Sequence, residues 1–298
     1  MDNTLLYTLL ISVAPALLMV GPSLLILKYF KWKTRDRKSP LNIDLLRGPG
    51  HSLEEKVSEL TIDIIGGVFM IPIASLALYS SVISDDYFFG RKPGTIVIMI
   101  FLIAGVGIVL YLLQNIYKQI KLRNVLRLGC ECEQAVGQDL NELLRYGFNV
   151  YHDFPAGDFN IDHIAIGPTG VFAIETKGRA KQLKAEKENW KVSFDGETLH
   201  FPTWSEREPI AQAKRQAKWL SKWLESATGS PQQVFPVLAI PGWFIERTKP
   251  SDLRIYPGKN STFLAKGQAT LSKERIQALS HQVEAKCRDI KTSSYKKE

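Results

Sequence analysis

The sequence predicts an α/β domain that follows three membrane-spanning helices. Three stretches, at about residues 5–27, 64–83 and 95–117, contain no charged side chain, and each is near the ~20 residues needed to cross a bilayer core. Beyond residue 121 the apolar residues alternate between helical spacing and strand spacing, which is typical of a domain that combines helices with a sheet. We therefore divide the chain into a transmembrane region, 1–120, and a C-terminal domain, 121–298.

The charges that flank the apolar stretches predict the orientation of the chain. Basic residues are concentrated at 28–38, just after the first stretch, whereas the Ser84–Gly94 loop has two basic and two acidic side chains. By the positive-inside rule the N-terminus lies outside, the loop at 28–62 is cytoplasmic, and a third crossing returns the chain to the cytoplasm. The first stretch has neither a basic start nor a cleavage site, so a retained anchor is favoured over a signal peptide. We expect a multi-pass protein of a bacterial inner membrane, with the lipid bilayer as one partner.

Net charge does not by itself identify a further partner. The chain has a net charge of +8, and residues 121–298 hold 27 basic and 21 acidic side chains, a difference of +6. This surplus suits a phosphate-bearing partner, but charge close to a membrane also serves topology and contact with anionic lipid. Cys130, Cys132 and Cys287 are the three cysteines, and an odd number in a reducing compartment implies no disulfide framework.

The C-terminal domain has a clear order of predicted elements. Its best-marked helix starts near Pro209, with proline in the first turn, and ends near Ser226 before Gly229. The expected elements are a helix at 131–146 ended by Gly147, strands at 148–154, 160–166 and 171–177, a strand at 190–194 followed by an Asp195-Gly196 turn, a helix at 209–226, a strand at 234–240, weaker strands at 255–256 and 262–264, and a closing helix at about 272–291.

The strands at 160–166 and 171–177 form the most informative part of the sequence. A four-residue loop, Gly167–Gly170, has the composition of a hairpin turn and places Ile166 opposite Val171. Counting outward without a bulge puts Asp162 opposite Glu175. Lys177 lies two residues further along the same face, because side chains alternate with a period of two.

Two carboxylates in direct opposition need a compensating charge. Opposed Cβ atoms are roughly 4.5–5.5 Å apart, and like charges at that distance destabilise the sheet. A divalent cation would compensate, since Mg²⁺ is held by one or two carboxylates and several waters, and a nearby lysine would stabilise developing negative charge. The alternative is that Asp162 ends a strand and that Glu175 and Lys177 lie on a solvated face.

Three further residues are weighed in the same way. Glu133 is placed to point toward the sheet, but it is equally an ordinary glutamate in the first turn of a helix. His163 adjoins Asp162, yet alternation puts it on the opposite face, which favours a structural role. Gln212 lies beside aromatic and basic side chains on its helix, where an amide could contact nucleotides, whereas Trp219 and Trp223 are more typical of core residues.

The motifs together resemble the nuclease-related domain, usually called NERD, of the PD-(D/E)xK nuclease superfamily. The resemblance covers about residues 129–264. It depends on the following motifs: Cys132-Glu133 with Val136-Gly137, His152-Asp153, Ile161-Asp162-His163-Ile164, Gly170 to Gly178, Trp190, and Pro209 with Gln212.

This resemblance implies a restriction-endonuclease-like mixed sheet flanked by helices, and a metal-dependent phosphodiesterase hydrolase. By position, Asp162 and Glu175 would bind Mg²⁺ or Mn²⁺ with Glu133 as an accessory metal-binding acid, Lys177 would orient water or stabilise charge, and Gln212 would support the site. The substrate would be DNA or RNA, and every catalytic position of the family pattern is present. The family often has glycine where Cys132 stands here.

Two other classes of function remain open. One is a non-catalytic nucleic-acid-binding or scaffold module on a membrane anchor. The other is a signalling or transport accessory, but the apolar cores of the three stretches contain no charged residue that would mark an ion path. Protein partners are not indicated by the sequence.

Overall fold

The structure is a computed structural model that describes residues 20–37, 39–90, 94–181 and 190–291, with the backbone alone at 81–89. Its long helices are α1 at 20–33, α2 at His51–Phe89 and α3 at Thr95–Leu140, followed by a 3₁₀ helix at Asn141–Tyr146. Two helices come later in the chain, α4 at Glu208–Thr228 and α5 at Lys273–Cys287. A second 3₁₀ helix covers Ser261–Ala265.

The strands are numbered β1 to β11 in chain order. The bounds are β1 Leu45–Leu46, β2 Asn149–Pro155, β3 Asn160–Gly167, β4 Gly170–Thr176, β5 Lys191–Phe194, β6 Leu199–His200, β7 Ser205–Glu206, β8 Val234–Ala239, β9 Phe244–Arg247, β10 Arg254–Tyr256 and β11 Arg288–Ile290.

Three sheets organise the described part of the chain. The main sheet has the strand order β10-β8-β4-β3-β2, in which β4, β8 and β10 are parallel and the β2-β3-β4 meander is antiparallel. A second sheet has the order β7-β6-β5-β9, and β1 pairs with β11. The predicted α/β class with a mixed sheet is therefore confirmed.

The main sheet is covered by helices on both faces. Val136 and Leu140 of α3 pack with alternate residues of β3 and β4, such as Ala165 and Ile174, in one core cluster. The second cluster contains residues of α4 and α5 together with the other side of the same strands. A third cluster joins α4 to the second sheet. This alternation follows from the two-residue period of the strands and places the ends of β3 and β4 between helices.

Several predicted elements differ from the observed ones. The helix expected at 131–146 is not separate, because α3 runs without interruption from the apolar stretch into the α/β domain and becomes a 3₁₀ helix at residue 141. No proline lies between residues 95 and 140 to break it. Residues 262–264 form part of a 3₁₀ helix rather than a strand, and the closing helix ends at Cys287, where β11 begins. Gly147 does end the preceding helix, with a left-handed φ of 78°.

The chain divides into two compact units. One consists of residues 1–42, 58–123 and 292–298, and the other of residues 43–57 and 124–291. The second unit contains all three sheets, and it includes the segment Ile43–Val57, which the sequence assigned to a loop of the membrane region.

Two helices in the described part are long and apolar enough to cross a membrane, His51–Ser80 and the helical stretch that starts at Thr95. Their apolar windows are not buried inside the protein. Three spans were expected. Most of the first one, residues 5–19, lies outside the described residues.

Candidate active site

The predicted register of the β3-β4 hairpin is confirmed. Ile166 pairs with Val171, and the ladder continues to His163 opposite Ile174. Asp162 and Glu175 are the next positions on the two strands. Beyond the last pair the Thr176 amide donates a hydrogen bond of 2.6 Å to Asp162 Oδ2, so a side chain continues the contact between the strands.

Glu175 and Lys177 form a close ion pair at the end of β4. Lys177 Nζ lies 2.6 Å from Glu175 Oε1, and the Glu175 side chain is only 2% exposed. Glu175 Oε2 is buried and has no hydrogen-bond partner among the described residues. The Lys177 backbone is held separately, because its amide donates to the Ala239 carbonyl at the end of β8. One oxygen of Glu175 therefore remains available to a cation or a further donor.

Helix α3 contributes the third acid, Glu133, which is 8% exposed. Burial, followed by the negative charges of Asp153 and Glu175, raises the pKa of Glu133 to about 8. Asp162 is partly exposed, but desolvation, Glu175 and Glu133 raise its pKa well above the ordinary value. The Thr176 hydrogen bond and the Lys177 charge oppose that rise. The three acids thus share one electrostatic environment, which favours uptake of positive charge, as a proton or as a cation.

Gln212 is the predicted site residue that the structure does not join to the others. It lies half-buried in the second turn of α4, and in the described part of the chain no hydrogen bond or ion pair connects it to the acids. One turn later, the buried Gln216 donates a 3.2 Å hydrogen bond to the Asn160 carbonyl at the start of β3. The amide on α4 that contacts the hairpin is therefore Gln216.

Close backbone approaches explain two glycines of the motif. A methyl group added at Gly178 would lie 2.9 Å from Cys132 Sγ, and one added at Gly137 would lie 2.7 Å from Pro49 Cβ. Both contacts involve α3, so these glycines let α3 pack tightly against the segment after Lys177 and against residues 43–57. Cys132, where the family often has glycine, lies within the continuous α3 helix and packs next to Gly178, in the segment after Lys177.

Arg179 is a site neighbour that the sequence analysis missed. Its guanidinium forms two 2.7 Å hydrogen bonds with the carboxylate of Glu206, and its pKa is raised by Glu206 and, to a smaller extent, by the nearby Glu175. The Arg179 carbonyl accepts a hydrogen bond from Trp243. No periodic pattern indicated this residue, because Arg179 lies beyond the end of β4 at Thr176, where strand alternation no longer applies.

The two histidines of the motif pack against each other. His152 Nδ1 and His163 Nδ1 are 2.9 Å apart on paired positions of β2 and β3, so one ring donates and the other accepts. Burial lowers the pKa of both, that of His152 to about 4. They are neutral at pH 7, as suits a role in packing.

The acids fit a divalent cation held by two protein carboxylates. The unpaired Glu175 Oε2 is the observation that supports this, and carboxylate oxygens are the ligands that Mg²⁺ and Mn²⁺ prefer. Within the described residues, no three His, Cys, Asp or Glu side chains form a group that could hold a metal ion by themselves. A cation here would complete its coordination with water, as Mg²⁺ usually does.

The mixed sheet with helices on both faces is consistent with a nuclease-like α/β fold. Residues 128–241 match the family described as nuclease-related domain, so such a domain is present in this stretch. The resemblance recognised in the sequence is confirmed, although the match ends at residue 241, before the predicted limit near 264. No curated protein and no solved structure matches the chain.

Proposed function

We propose that the chain is a membrane-anchored, metal-dependent nuclease that hydrolyses phosphodiester bonds of DNA or RNA at the cytoplasmic face. The observation that carries the proposal is that Asp162 accepts a 2.6 Å hydrogen bond from the Thr176 amide, next to Glu175, whose Oε1 lies 2.6 Å from Lys177 Nζ. The nuclease-related domain at 128–241 supports a nucleic-acid substrate.

In this proposal each side chain has a definite task. Asp162 and Glu175 hold Mg²⁺ or Mn²⁺, with Glu133 as an accessory acid. When bound, the cation supplies Lewis-acid polarisation of a phosphate oxygen and a lowered pKa for an attacking water.

The lysine and the helix acid act through their own charges. Lys177 directs its ammonium to the edge where negative charge develops on the phosphate in the transition state. Burial and the neighbouring carboxylates raise the pKa of Glu133 to about 8 in the metal-free site, so this acid favours the uptake of positive charge, as a proton or from a cation. Arg179, fixed by Glu206, adds positive charge beside Glu175.

Cleavage assays on the full chain test the proposal. Plasmid, linear duplex DNA and RNA are incubated in parallel with Mg²⁺, with Mn²⁺ and with a chelator. We expect cleavage that the chelator abolishes and that Asp162→Asn and Lys177→Met each reduce by about 100-fold or more. Asp252→Asn is a matched control, because Asp252 pairs with Lys214 at an exposed position. Equal residual activity in all variants would rule out this site.

A membrane anchor is the second part of the proposal. It is supported by the exposed apolar side chains of α2 and α3, for example Ile96, which is 77% exposed, and Ile62, which is 69% exposed. Contiguous exposed apolar surface of this kind marks contact with lipid or with another protein. Together with the basic residues at 28–38, it favours a cytoplasmic catalytic domain.

The alternative is a nucleic-acid-binding or scaffold module without catalysis. It is favoured by the absence, among the described residues, of a group of three side chains able to hold a metal. Binding to DNA or RNA that survives Glu175→Ala, with no cleavage in either metal, would select this alternative.

A further inference from the structure

Asp153, a residue of the His-Asp motif with no role so far, has an unusual backbone conformation. Its φ is +48°, in the left-handed region that residues other than glycine seldom adopt, and the residue is only 3% exposed. Aspartate tolerates this region better than most residues, but a buried strand is an uncommon place for it. The conformation therefore needs a local cause.

The position of Asp153 in the sheet connects it to the candidate site. The β2-β3 ladder pairs His152 with His163 and Phe154 with Ile161, but it has no pair at the step between them. That step is Asp153 opposite Asp162. The ladder is thus interrupted at the residue that the site uses as a carboxylate ligand.

On both strands the alternation of side chains between the two faces of the sheet is interrupted at this step. Tyr151 and Phe154, three residues apart on β2, pack into the same core cluster, and so do Ile164 and Ile161 on β3. In a regular strand, residues three apart face opposite sides of the sheet. The side-chain alternation therefore shifts between them, where Asp153 and Asp162 lie.

The Asp153 carboxyl group is held from two other segments. Its Oδ2 accepts hydrogen bonds from the Ser52 amide at 3.1 Å, the Ser52 hydroxyl at 2.5 Å and Arg47 Nη1 at 3.1 Å. Its Oδ1 accepts one from Asn160 Nδ2 at 2.9 Å. Arg47 is fixed in turn by two 2.8 Å hydrogen bonds to Asp289. These bonds hold the side chain, and with it the backbone, in place.

We propose that Asp153 is a positioning residue for the candidate site, because its bonds to Arg47, Ser52 and Asn160 hold the left-handed step that directs Asp162 toward Thr176 and Glu175. Its consequence for cleavage rests on the proposed function. The positioning itself does not rest on the proposed function, because the hydrogen bond from the Thr176 amide to Asp162 Oδ2 can be followed without any substrate.

Amide hydrogen exchange on the full chain tests this inference without reference to activity. In Asp153→Ala, the left-handed conformation is disfavoured and both carboxylate oxygens that accept hydrogen bonds are lost. The Thr176 amide should then exchange at least about tenfold faster, as expected on losing its hydrogen bond to the Asp162 carboxyl group. Asp153→Asn tolerates the left-handed region and should show a smaller increase, of about threefold or more.

Asp252→Asn is the matched control, because it makes the same kind of change in an exposed ion pair with Lys214, outside the Arg47 network. It should leave Thr176 exchange unchanged. The inference is overturned if folded Asp153→Ala keeps wild-type exchange, or if Asp252→Asn accelerates exchange equally. If Asp153→Ala does not fold, Asp153→Asn decides in the same way.

Metal binding gives a second readout. Mn²⁺ titrated into the protein without substrate should bind at least about tenfold more weakly to Asp153→Asn than to wild type, and equally to Asp252→Asn and wild type. Wild-type Mn²⁺ affinity in Asp153→Asn would contradict the positioning role. Failure of the wild-type protein to cleave nucleic acid would instead contradict the proposed function and leave the exchange result to decide this inference.

Discussion

Glu133 is a buried carboxyl group whose pKa of about 8 lies far above the ordinary value of 4.5. Such a group binds a proton more tightly in the folded protein than in the unfolded chain. Its contribution to stability is complete below about pH 4.5 and is lost as the pH rises toward 8. The acids of the site therefore make the folded state sensitive to alkaline pH.

Glu133→Gln should remove this sensitivity. The glutamine is neutral at every pH, so the variant should become more stable than wild type as the pH rises, by roughly 1–3 kcal/mol at pH 8. Thermal unfolding of both proteins at pH 5.5 and pH 8 measures the difference. Glu131→Gln is the control, because Glu131 is exposed and pairs with Arg127 on the same helix. Identical pH slopes for wild type and Glu133→Gln would contradict the prediction.

Lys177 is important for stability as well as for the proposed chemistry. Lys177→Met leaves Glu175 buried without its partner and should destabilise the fold by about 3–5 kcal/mol. The double variant Lys177→Met with Glu175→Gln should recover most of that loss, because it removes both charges. Urea unfolding of the two single variants and the double variant measures the coupling.

Lys191→Met is the control for that cycle. Lys191 forms an ion pair with Glu246, but both side chains are more than 40% exposed. The loss there should be at most about 1 kcal/mol. An additive double variant at positions 175 and 177 would show that the short contact contributes no coupling.

Among the structural elements, the segment Ile43–Val57 has the least expected role. It supplies β1, the first turn of α2 and Arg47, all within the unit that contains the candidate site. Arg47 is 18% exposed, and its hydrogen bond to Asp289 is the first cause of its raised pKa. A fragment that begins at residue 121 therefore lacks part of its own fold.

Arg47→Ala should show how much this segment contributes. Asp153 would remain buried without its cation, so we expect a loss of about 3–5 kcal/mol in the free energy of unfolding. Arg127→Ala removes an arginine of the same unit from an exposed pair with Glu131 and should cost at most about 1 kcal/mol. Similar small losses in both variants would show that the Arg47 network does not support the fold.

The hairpin and the network around Arg47 differ in how far the sequence could predict them. The register from Ile166 and Val171 toward Asp162 follows from local alternation, so counting along the chain was sufficient. The turn itself is shorter than predicted: Gly167 pairs with Gly170, which leaves two residues, Pro168 and Thr169, rather than four. The Arg47–Asp153 bond joins residues 106 positions apart, and no periodic pattern encodes it. The same limit applies to Gln216, because no pattern in the sequence indicated its hydrogen bond to the Asn160 carbonyl, 56 positions away.

The continuity of α3 was missed for another reason. The apolar stretch and the motif at Glu133 were interpreted as separate elements because their compositions differ. The residues between them are basic and contain no proline, and nothing in that composition ends a helix. A change in amino-acid composition along α3 indicates that the helix passes into a different environment. A helix ends only where its backbone conformation is broken.

For the whole molecule, the apolar helices and the nuclease-related domain lie in one chain, and the proposed topology has a direct test. Reporter fusions at residues 90–94, in the loop between α2 and α3, should be active outside the cytoplasm, and fusions after residue 291 should be active inside it. The protein should also remain with the membrane fraction after alkaline carbonate extraction. A cytoplasmic signal from the loop would contradict the proposed orientation.

The pairing of β1 with β11 has a consequence for how the protein is made. Arg47 leaves the ribosome early, but its two carboxylate partners follow 106 and 242 residues later. Between the synthesis of Arg47 and that of Asp289 the chain has to complete α2, α3 and most of the sheets. The β1 strand therefore has no pairing partner until β11 has been synthesised, 242 residues after Arg47, so this small sheet forms only after α2, α3 and the strands of the main sheet have been made.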